Sequence, residues 1–337
     1  MKRYAADNKG IALFLVLWVL VLLMVIVGEF CHAMKTEVKI TRNFKESTQA
    51  YYIARAGMNT AIIGLIEDKI SPPKATSEED EEEGTIKWRI NAAIPEIPFG
   101  QGRFEIRIEN QSGKVNINRA GKDLLRMMLS SFDCGDNEKN VIVDSILDWR
   151  DKDRFHRLNG AEDDYYQGLP EPYDCKDADF DSIDELLLVK GMTEKIFYDG
   201  LKDMVTVYPH NDSITINTGR RTTRRRKTDY NYNKININSA SIQMLKALPL
   251  MTDDLAAEIV EYRKEKDFVS MTDLSGLLGP EVYQAVIRYI TLKTSPYFII
   301  KSIGAVEEGS VKQEVKALVK IDLKLKDRYL VLQWIKG

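Results

Sequence analysis

"KVNINRA" (Lys114 to Ala120) and "KININSA" (Lys234 to Ala240) are two versions of one heptapeptide, and each leads into a helical pattern. The likeness continues downstream. "ILDWRDKD" (Ile146 to Asp153) matches "IVEYRKEK" (Ile259 to Lys266), and "FDSIDEL" (Phe180 to Leu186) matches "FVSMTDL" (Phe268 to Leu274). The first copy is the longer, with extra residues at its hairpin and a larger addition between "DWR" and "FDS". In the plainer second copy, "ININSASIQMLKALPLMTDDLAAEIVEYR" (Ile235 to Arg263) reads as two helices about a tight hairpin. Its packed face would comprise Ala240, Leu245, Leu248, Ala256, Ile259 and Val260.

Strand-like sequence flanks this duplicated unit. "GTIKWRINAAI" (Gly84 to Ile94) and "GRFEIRIENQSG" (Gly102 to Gly113) alternate, the second placing Phe104, Ile106 and Ile108 on one face. After the unit, Pro296 to Gly337 holds three strand-like runs broken at Glu308-Gly309 and Lys326-Asp327. One sheet interrupted by a helical insertion is therefore expected. It divides the chain into a first part of the sheet at 71–113, an insertion at 114–294 and closing strands at 295–337. Within the insertion, copy one covers 114–208, a linker 209–233 and copy two 234–294.

The N-terminus is of another kind. Ile11 to Val27 is an unbroken uncharged run, as a helix about 25 Å long and near the lower limit for crossing a bilayer. Lys2, Arg3 and Lys9 precede it with only Asp7 against them, which keeps the leader cytoplasmic and sends the rest outward. A cleaved secretory signal fits less well: the run is long, and "VGEFCHAM" (Val27 to Met34) lacks a small-x-small site. No proline follows until Pro72, and Phe30, Met34, Val38, Phe44, Tyr51, Ala54, Met58, Ile62 and Leu65 recur mostly at helical spacing. One helix, 11–70, apolar all round and then amphipathic, is expected.

The basic leader ending in Gly10, the apolar run from Ile11 and the helix through "QAYYIARAGMNTAI" (Gln49 to Ile62) resemble the N-terminus of type IV pilin-like proteins. That resemblance implies a leader of residues 1–10, cleavage by a prepilin peptidase after Gly10 and methylation of the new N-terminus at Ile11. Leu15 stands where the family usually has a glutamate, which is thought to pair with a neighbouring subunit's amine in the apolar filament core. The variants without it are the K-type minor pseudopilins of the type II secretion system. "LNGAEDDYYQGL" (Leu158 to Leu169) and "FDSIDELLLVKGMTEKIF" (Phe180 to Phe197) resemble that family too. The resemblance implies an α+β fold, a long N-terminal helix packed on an antiparallel sheet with a large all-helical domain of two helix-hairpin-helix-like copies inserted into the sheet. It implies a single-pass inner-membrane protein, N-terminus cytoplasmic and C-terminal domain periplasmic, that caps the secretion pseudopilus and helps initiate its assembly. Its partners would be other minor pseudopilins, with secreted substrates or the outer-membrane secretin beyond them.

The repeats also resemble DNA-gripping helix-hairpin-helix motifs of the competence type, which makes a membrane-anchored DNA receptor the alternative. Such hairpins carry glycines for close approach to phosphate. Here Leu250 and Thr252 occupy those places, and Asp253 and Asp254 follow. Nucleic acid is therefore disfavoured, as it is by a net charge of −3. "RRTTRRRK" (Arg220 to Lys227) reads as a linker.

The addition to copy one is rich in acids, including Asp148, Asp151, Asp153, Glu162, Asp163, Asp164, Asp174, Asp177, Asp179 and Asp181. Hard oxygen ligands at that density suit calcium, although no EF-hand loop is present. The K-type resemblance implies calcium in this domain, with Asp151, Asp153, Glu162 and Asp163 as the expected ligands. "SEEDEEE" (Ser77 to Glu83) reads instead as a solvated loop. Cys134 and Cys175 lie in the two added segments, and a bridge between them is expected in an oxidising compartment. No nucleophile elbow, P-loop or metal-hydrolase spacing occurs, so the chain does not read as an enzyme.

Overall fold

The computed structural model describes residues 9–70, 88–90, 94–208, 230–307 and 311–336. The acidic stretch Ser77 to Glu83, Pro72, Pro73 and the arginine run lie outside them, as do residues 1–8 of the leader.

Helix α1 (Lys9–Ile70) is continuous. Its side chains from Leu13 to Val27 are exposed, as apolar residues meant for lipid would be, and this stretch is long and apolar enough to cross a membrane. One face of its last third is buried: Ala50, Ile53, Ala54, Met58, Ala61, Ile62 and Leu65. These residues pack on one side of a five-stranded antiparallel sheet in the order β1 (Ile97–Phe99), β2 (Gly102–Asn110), β7 (Tyr297–Val306), β8 (Lys312–Ile321), β9 (Tyr329–Lys336). Phe104, Ile106, Ile108, Phe298, Ile300, Val315, Ala317 and Val319 supply the sheet's half of that core. Each fully buried large side chain contributes about 1.5–3 kcal/mol.

The strand expected around Trp88 is not formed among the described residues. Trp88 to Ile90 form loop and turn, and the first edge strand lies later, at Ile97–Phe99. The alternation around Trp88 serves packing against α1: the indole lies so close to Gly64 that a methyl group there would overlap it.

Strands β2 and β7 are direct neighbours, with Asn110 opposite Phe298. Everything between them leaves and re-enters the sheet at one point. A clasp holds that neck: Asn110 donates to the Ser295 carbonyl (2.9 Å), and its Oδ1 accepts from Ser295 N (3.1 Å) and Oγ (3.0 Å).

The insertion explains the repeated heptapeptide. In copy one, β3 (Val115–Asn116) precedes α2 (Lys122–Leu129), α3 (Asp136–Arg150), α4 (Asp163–Tyr166), a 3-10 turn (Ile183–Leu188), α5 (Glu194–Ile196), α6 (Lys202–Met204) and β4 (Val205–Thr206). Copy two has β5 (Ile235–Asn236), α7 (Ile242–Lys246), α8 (Asp253–Glu265), α9 (Met271–Val286) and β6 (Ile290–Thr291). The domain is thus not all helical. Each copy is closed by a two-residue parallel ladder, β3 with β4 and β5 with β6.

The asparagines and the matching arginines then take the same roles twice. Asn118 donates to the Phe180 carbonyl (3.0 Å) and accepts from Phe180 N (2.7 Å). Asn238 does both with Phe268 at 2.9 Å. Asn116 and Asn236 accept from the amides of Asn118 and Asn238, each at 2.9 Å. Arg150 reaches back to the carbonyls of Ile117 and Ala120, and Arg263 to those of Ile237 and Ala240. Burial pulls both guanidinium groups down to about 10, which leaves them charged at neutral pH. The heptapeptide is a strand plus a polar latch, fixed from the far end of the hairpin.

Candidate functional site

Two places invite a functional reading: the exposed half of α1 and the acidic addition to copy one. On α1, Gly10 and Ile11 lie in the first described turns of the helix, and Leu15 presents an exposed aliphatic side chain on the apolar stretch. The helix carries no acid in its first turn.

The acidic site begins where α3 ends. Asp151 is the C-cap of α3, and its Oδ1 accepts from Asp153 N (3.2 Å), while Asp153 Oδ1 accepts from Phe155 N (3.0 Å). These two turns fold the loop back over the helix end. Asp148, fully buried, accepts from Arg157 N and Ala161 N, both at 3.0 Å, and pairs with the Arg157 guanidinium. Arg157 also meets Asp151 Oδ2 at 2.6 Å. Gly160 is obligatory here, because a Cβ would occupy the space of Asp148 Oδ2. Beneath lies an aromatic floor in which Trp149 meets Tyr166, Tyr173 and Phe180.

At the centre stands Glu162. It is 3% exposed, and among the described residues no N–H or O–H group donates to its carboxylate, which the Cys175 thiol approaches as a hydrogen-bond partner. An unpaired buried carboxylate is costly, so its ionisation is resisted. Burial, aided by the charges of Asp177, Asp148 and Asp151 and opposed by a hydrogen bond from the Cys175 thiol, pushes its pKa up to about 7. Asp151, Asp153 and Glu162 can each offer an oxygen with these atoms all within 4.8 Å of one another. The buried Glu162 carboxylate, with no N–H or O–H donor among the described residues, and the hard donor set fit a calcium ion, with further oxygens needed to complete 6 to 8 ligands.

Asp163, expected among the ligands, does not join that trio. It sits in the first turn of α4, and its Oδ1 accepts from Cys175 N at 2.8 Å. Asp177 is one of the acids of the addition outside the expected ligand set. It holds a left-handed backbone (φ 49°), and its Oδ1 is buried without a hydrogen-bond partner among the described residues. The expected bridge between Cys134 and Cys175 is not formed, and both are free thiols. The Cys134 thiol is directed at the Leu129 carbonyl (3.8 Å) at the end of α2, whereas the Cys175 thiol is directed at the carboxylates of Glu162 and Asp177.

The hairpin of copy two is built against phosphate. Leu250 takes the left-handed conformation (φ 59°) that such hairpins reserve for glycine, and its side chain is exposed over the turn. Thr252 caps α8 by accepting from Leu255 N (3.2 Å), and Asp253 pairs with Lys246 at 3.0 Å. The free amides of that helix end are thus capped by a hydroxyl and flanked by carboxylates.

Comparison with known proteins agrees with this architecture. Residues 102–210 match the family model for type II secretion system (T2SS), protein K, and residues 230–291 match a helix-hairpin-helix motif model. The type II secretion system protein K of Aeromonas hydrophila is 26% identical over 227 residues, 62% of this chain and 66% of that protein. The Pseudomonas aeruginosa protein of the same name is 24% identical over 302 residues, 84% of this chain and 82% of that one. The chain thus spans just under two thirds of the Aeromonas protein and more of the Pseudomonas one. A chain in the crystal structure of the GspK-GspI-GspJ complex from enterotoxigenic Escherichia coli superposes with a TM-score of 0.55 at 18% identity. That superposition covers 88% of this chain and 99% of the other, and establishes the shared fold. The match over 102–210 takes in strand β2, the latch of copy one and its acidic addition, so the chain is similar to the protein K family of type II secretion systems over that span and in fold.

Proposed function

We propose that this chain is a structural subunit, not an enzyme, which caps the tip of a type II secretion pseudopilus and helps initiate its assembly. The observation that carries this reading is α1: an exposed apolar half continuous with a half that is packed on the sheet. Such a helix can be pulled from a bilayer into a bundle of like helices without altering the folded head. Leu15 suits a terminal position, since no preceding subunit offers an amine for a carboxylate there, and an unpaired charge in an apolar core would cost several kcal/mol. The partners proposed are other minor pseudopilins, in keeping with the GspI and GspJ that accompany the solved relative. Membrane insertion with the C-terminal domain in the periplasm follows from the same helix and its basic leader.

Processing gives the direct test. N-terminal sequencing and intact mass of the protein from membranes should show a mature chain starting at methylated Ile11. Retention of Met1, or cleavage beyond Val27, would contradict the reading.

The acidic addition is proposed to hold calcium through Asp151, Asp153 and Glu162, stapling the loop to α3. Glu162 makes this pH-dependent. Its pKa is raised from about 4.5 to about 7, so in the metal-free protein its contribution to stability is full below about 4.5 and is lost as pH climbs through about 7. Calcium binds the ionised form, so its stabilisation should grow over the same range. At 100 times Kd that stabilisation is about 2.7 kcal/mol. Melting of the complete chain with calcium or chelator at pH 6 and pH 8 should show a chelator effect that is larger at pH 8. Equal melting temperatures in all four conditions would leave these acids as a solvated cluster.

A further inference from the structure

We propose that Arg89 is a brace that locks the helical domain onto α1, so that the chain is one rigid body from its long helix to its helical end. This concerns the joint between the two halves of the molecule, and it goes beyond the capping reading without resting on it. The chain crosses that joint at the neck, where the contacts gather on residues Asn110 to Gly113. Beside the clasp of Asn110 and Ser295, the Ser112 and Ser239 hydroxyls meet at 2.9 Å, and Gly113 lies so close to the Ser239 carbonyl that a Cβ would overlap it. Contacts gathered at one point resist separation, but a few residues there can still act as a hinge.

Arg89 supplies an attachment from another stretch of chain. It belongs to the connection between α1 and β1, and its guanidinium donates to the carbonyls of Glu265 (2.7 Å) and Arg263 (2.8 Å) and to Asp267 Oδ1 (3.0 Å). The residue before it, Trp88, is seated over Gly64 of α1. Two consecutive side chains thus tie the long helix to the end of α8. The chemistry suits an arginine. The last carbonyls of a helix have no intrahelical partners and carry the negative end of its dipole, and a planar fork of five donors satisfies several at once. A surface ion pair would contribute little, but this side chain is only 19% exposed and two of its acceptors are backbone. Arg263, whose carbonyl is taken, is itself the arginine that latches the heptapeptide of copy two. The tie therefore runs from α1 through α8 to the neck.

The two copies differ at this place. The matching acid of copy one, Asp179 ahead of Phe180, pairs with Arg119 of its own copy at 3.1 Å. In copy two Ser239 stands in the position of Arg119, and Asp267 ahead of Phe268 turns to Arg89. That exchange removes a competing cation and puts a small side chain where the neck is tight. Copy two carries the changes that seat it on the head.

Pulsed electron–electron resonance between nitroxides at Thr60→Cys on α1 and Glu258→Cys on α8, both exposed positions, reads the joint directly. The background is the complete chain in detergent with Cys31→Ser and Cys134→Ser, since Cys175 is buried and escapes the label. With Arg89 in place, one narrow distance peak is expected. Arg89→Ala should lose that peak to a broad distribution while keeping the melting temperature. Arg89→Lys, which retains the stem and charge but not the fork, should lose it too. Asp179→Ala, the matching change in copy one, should leave the narrow peak intact. A narrow peak that survives in both Arg89 variants, a broad distribution with Arg89 in place, broadening that appears only in step with a lowered melting temperature, or equal broadening by Asp179→Ala would each overturn the brace. The distances are read on single chains, so none of these outcomes bears on whether α1 assembles with other pilin-like subunits.

Discussion

Gly304→Ala should lift the long helix off its sheet and destabilise the packed head by more than about 3 kcal/mol. Gly304 lies in β7 directly under α1, and a Cβ there would overlap the Ala50 carbonyl and the Ala54 amide. Those are backbone atoms of a helix and cannot turn aside as a side chain could. The helix must move, and the contacts of Ala54, Met58 and Ile62 with Phe104, Ile300 and Val315 loosen together. Overpacking of this kind typically costs 1–3 kcal/mol where neighbours can adjust, and more where they are backbone. The measurement is urea unfolding of the complete chain in detergent, with limited proteolysis between residues 50 and 65 as a local readout. Gly276→Ala is the control, because among the described residues nothing lies within 4 Å of its added methyl group in α9. An alanine is favoured there by about 1 kcal/mol or less.

Asn238→Ala is expected to cost the helical domain about 3 kcal/mol. The side chain is 8% exposed and closes a two-way bond with Phe268, whose own ring is buried. Alanine leaves a buried N–H and a buried C=O unpaired, at about 1–3 kcal/mol for such groups. Asn118→Ala should do the same at Phe180, since the geometry is repeated. Hydrogen exchange locates the effect: the Phe268 amide should lose protection in Asn238→Ala and keep it in Asn118→Ala. If both variants unfold at the wild-type urea midpoint, the latch is an incidental contact and the repeated heptapeptide does not fasten either copy.

Much of this was legible in the chain. Apolar alternation in Phe104, Ile106 and Ile108 fixes β2, because one face of the strand meets α1. The paired asparagines and arginines could be aligned between copies from sequence, since the same backbone groups demand the same side chains. Their ladder partners, Val205-Thr206 and Ile290-Thr291, could not: two-residue parallel pairs leave no periodicity of their own. Trp88 misled for the opposite reason, since its alternating neighbours look like a strand while the ring fills the space over Gly64.

The acidic site was legible in composition and not in membership. Which carboxylates gather is set by three-dimensional details: the C-cap at Asp151, the tight approach at Gly160 and the left-handed turn at Asp177. Asp163 looked equivalent to its neighbours, but position in the first turn of α4 commits it to a backbone amide. The cysteines illustrate the same limit. Their shared placement in added segments suggested a bridge, whereas the fold turns Cys175 towards two carboxylates and Cys134 towards the end of α2.

An assembling subunit must join its helix α1 to those of other pilin-like proteins. Native mass spectrometry of the complete processed chain, extracted from membranes of cells that also make the other minor pseudopilins, tests this most directly. A stoichiometric complex with those subunits, free of nucleic acid and persisting in high salt, is the predicted result. Recovery of the chain alone, or with DNA that is released steeply as salt rises, would contradict it.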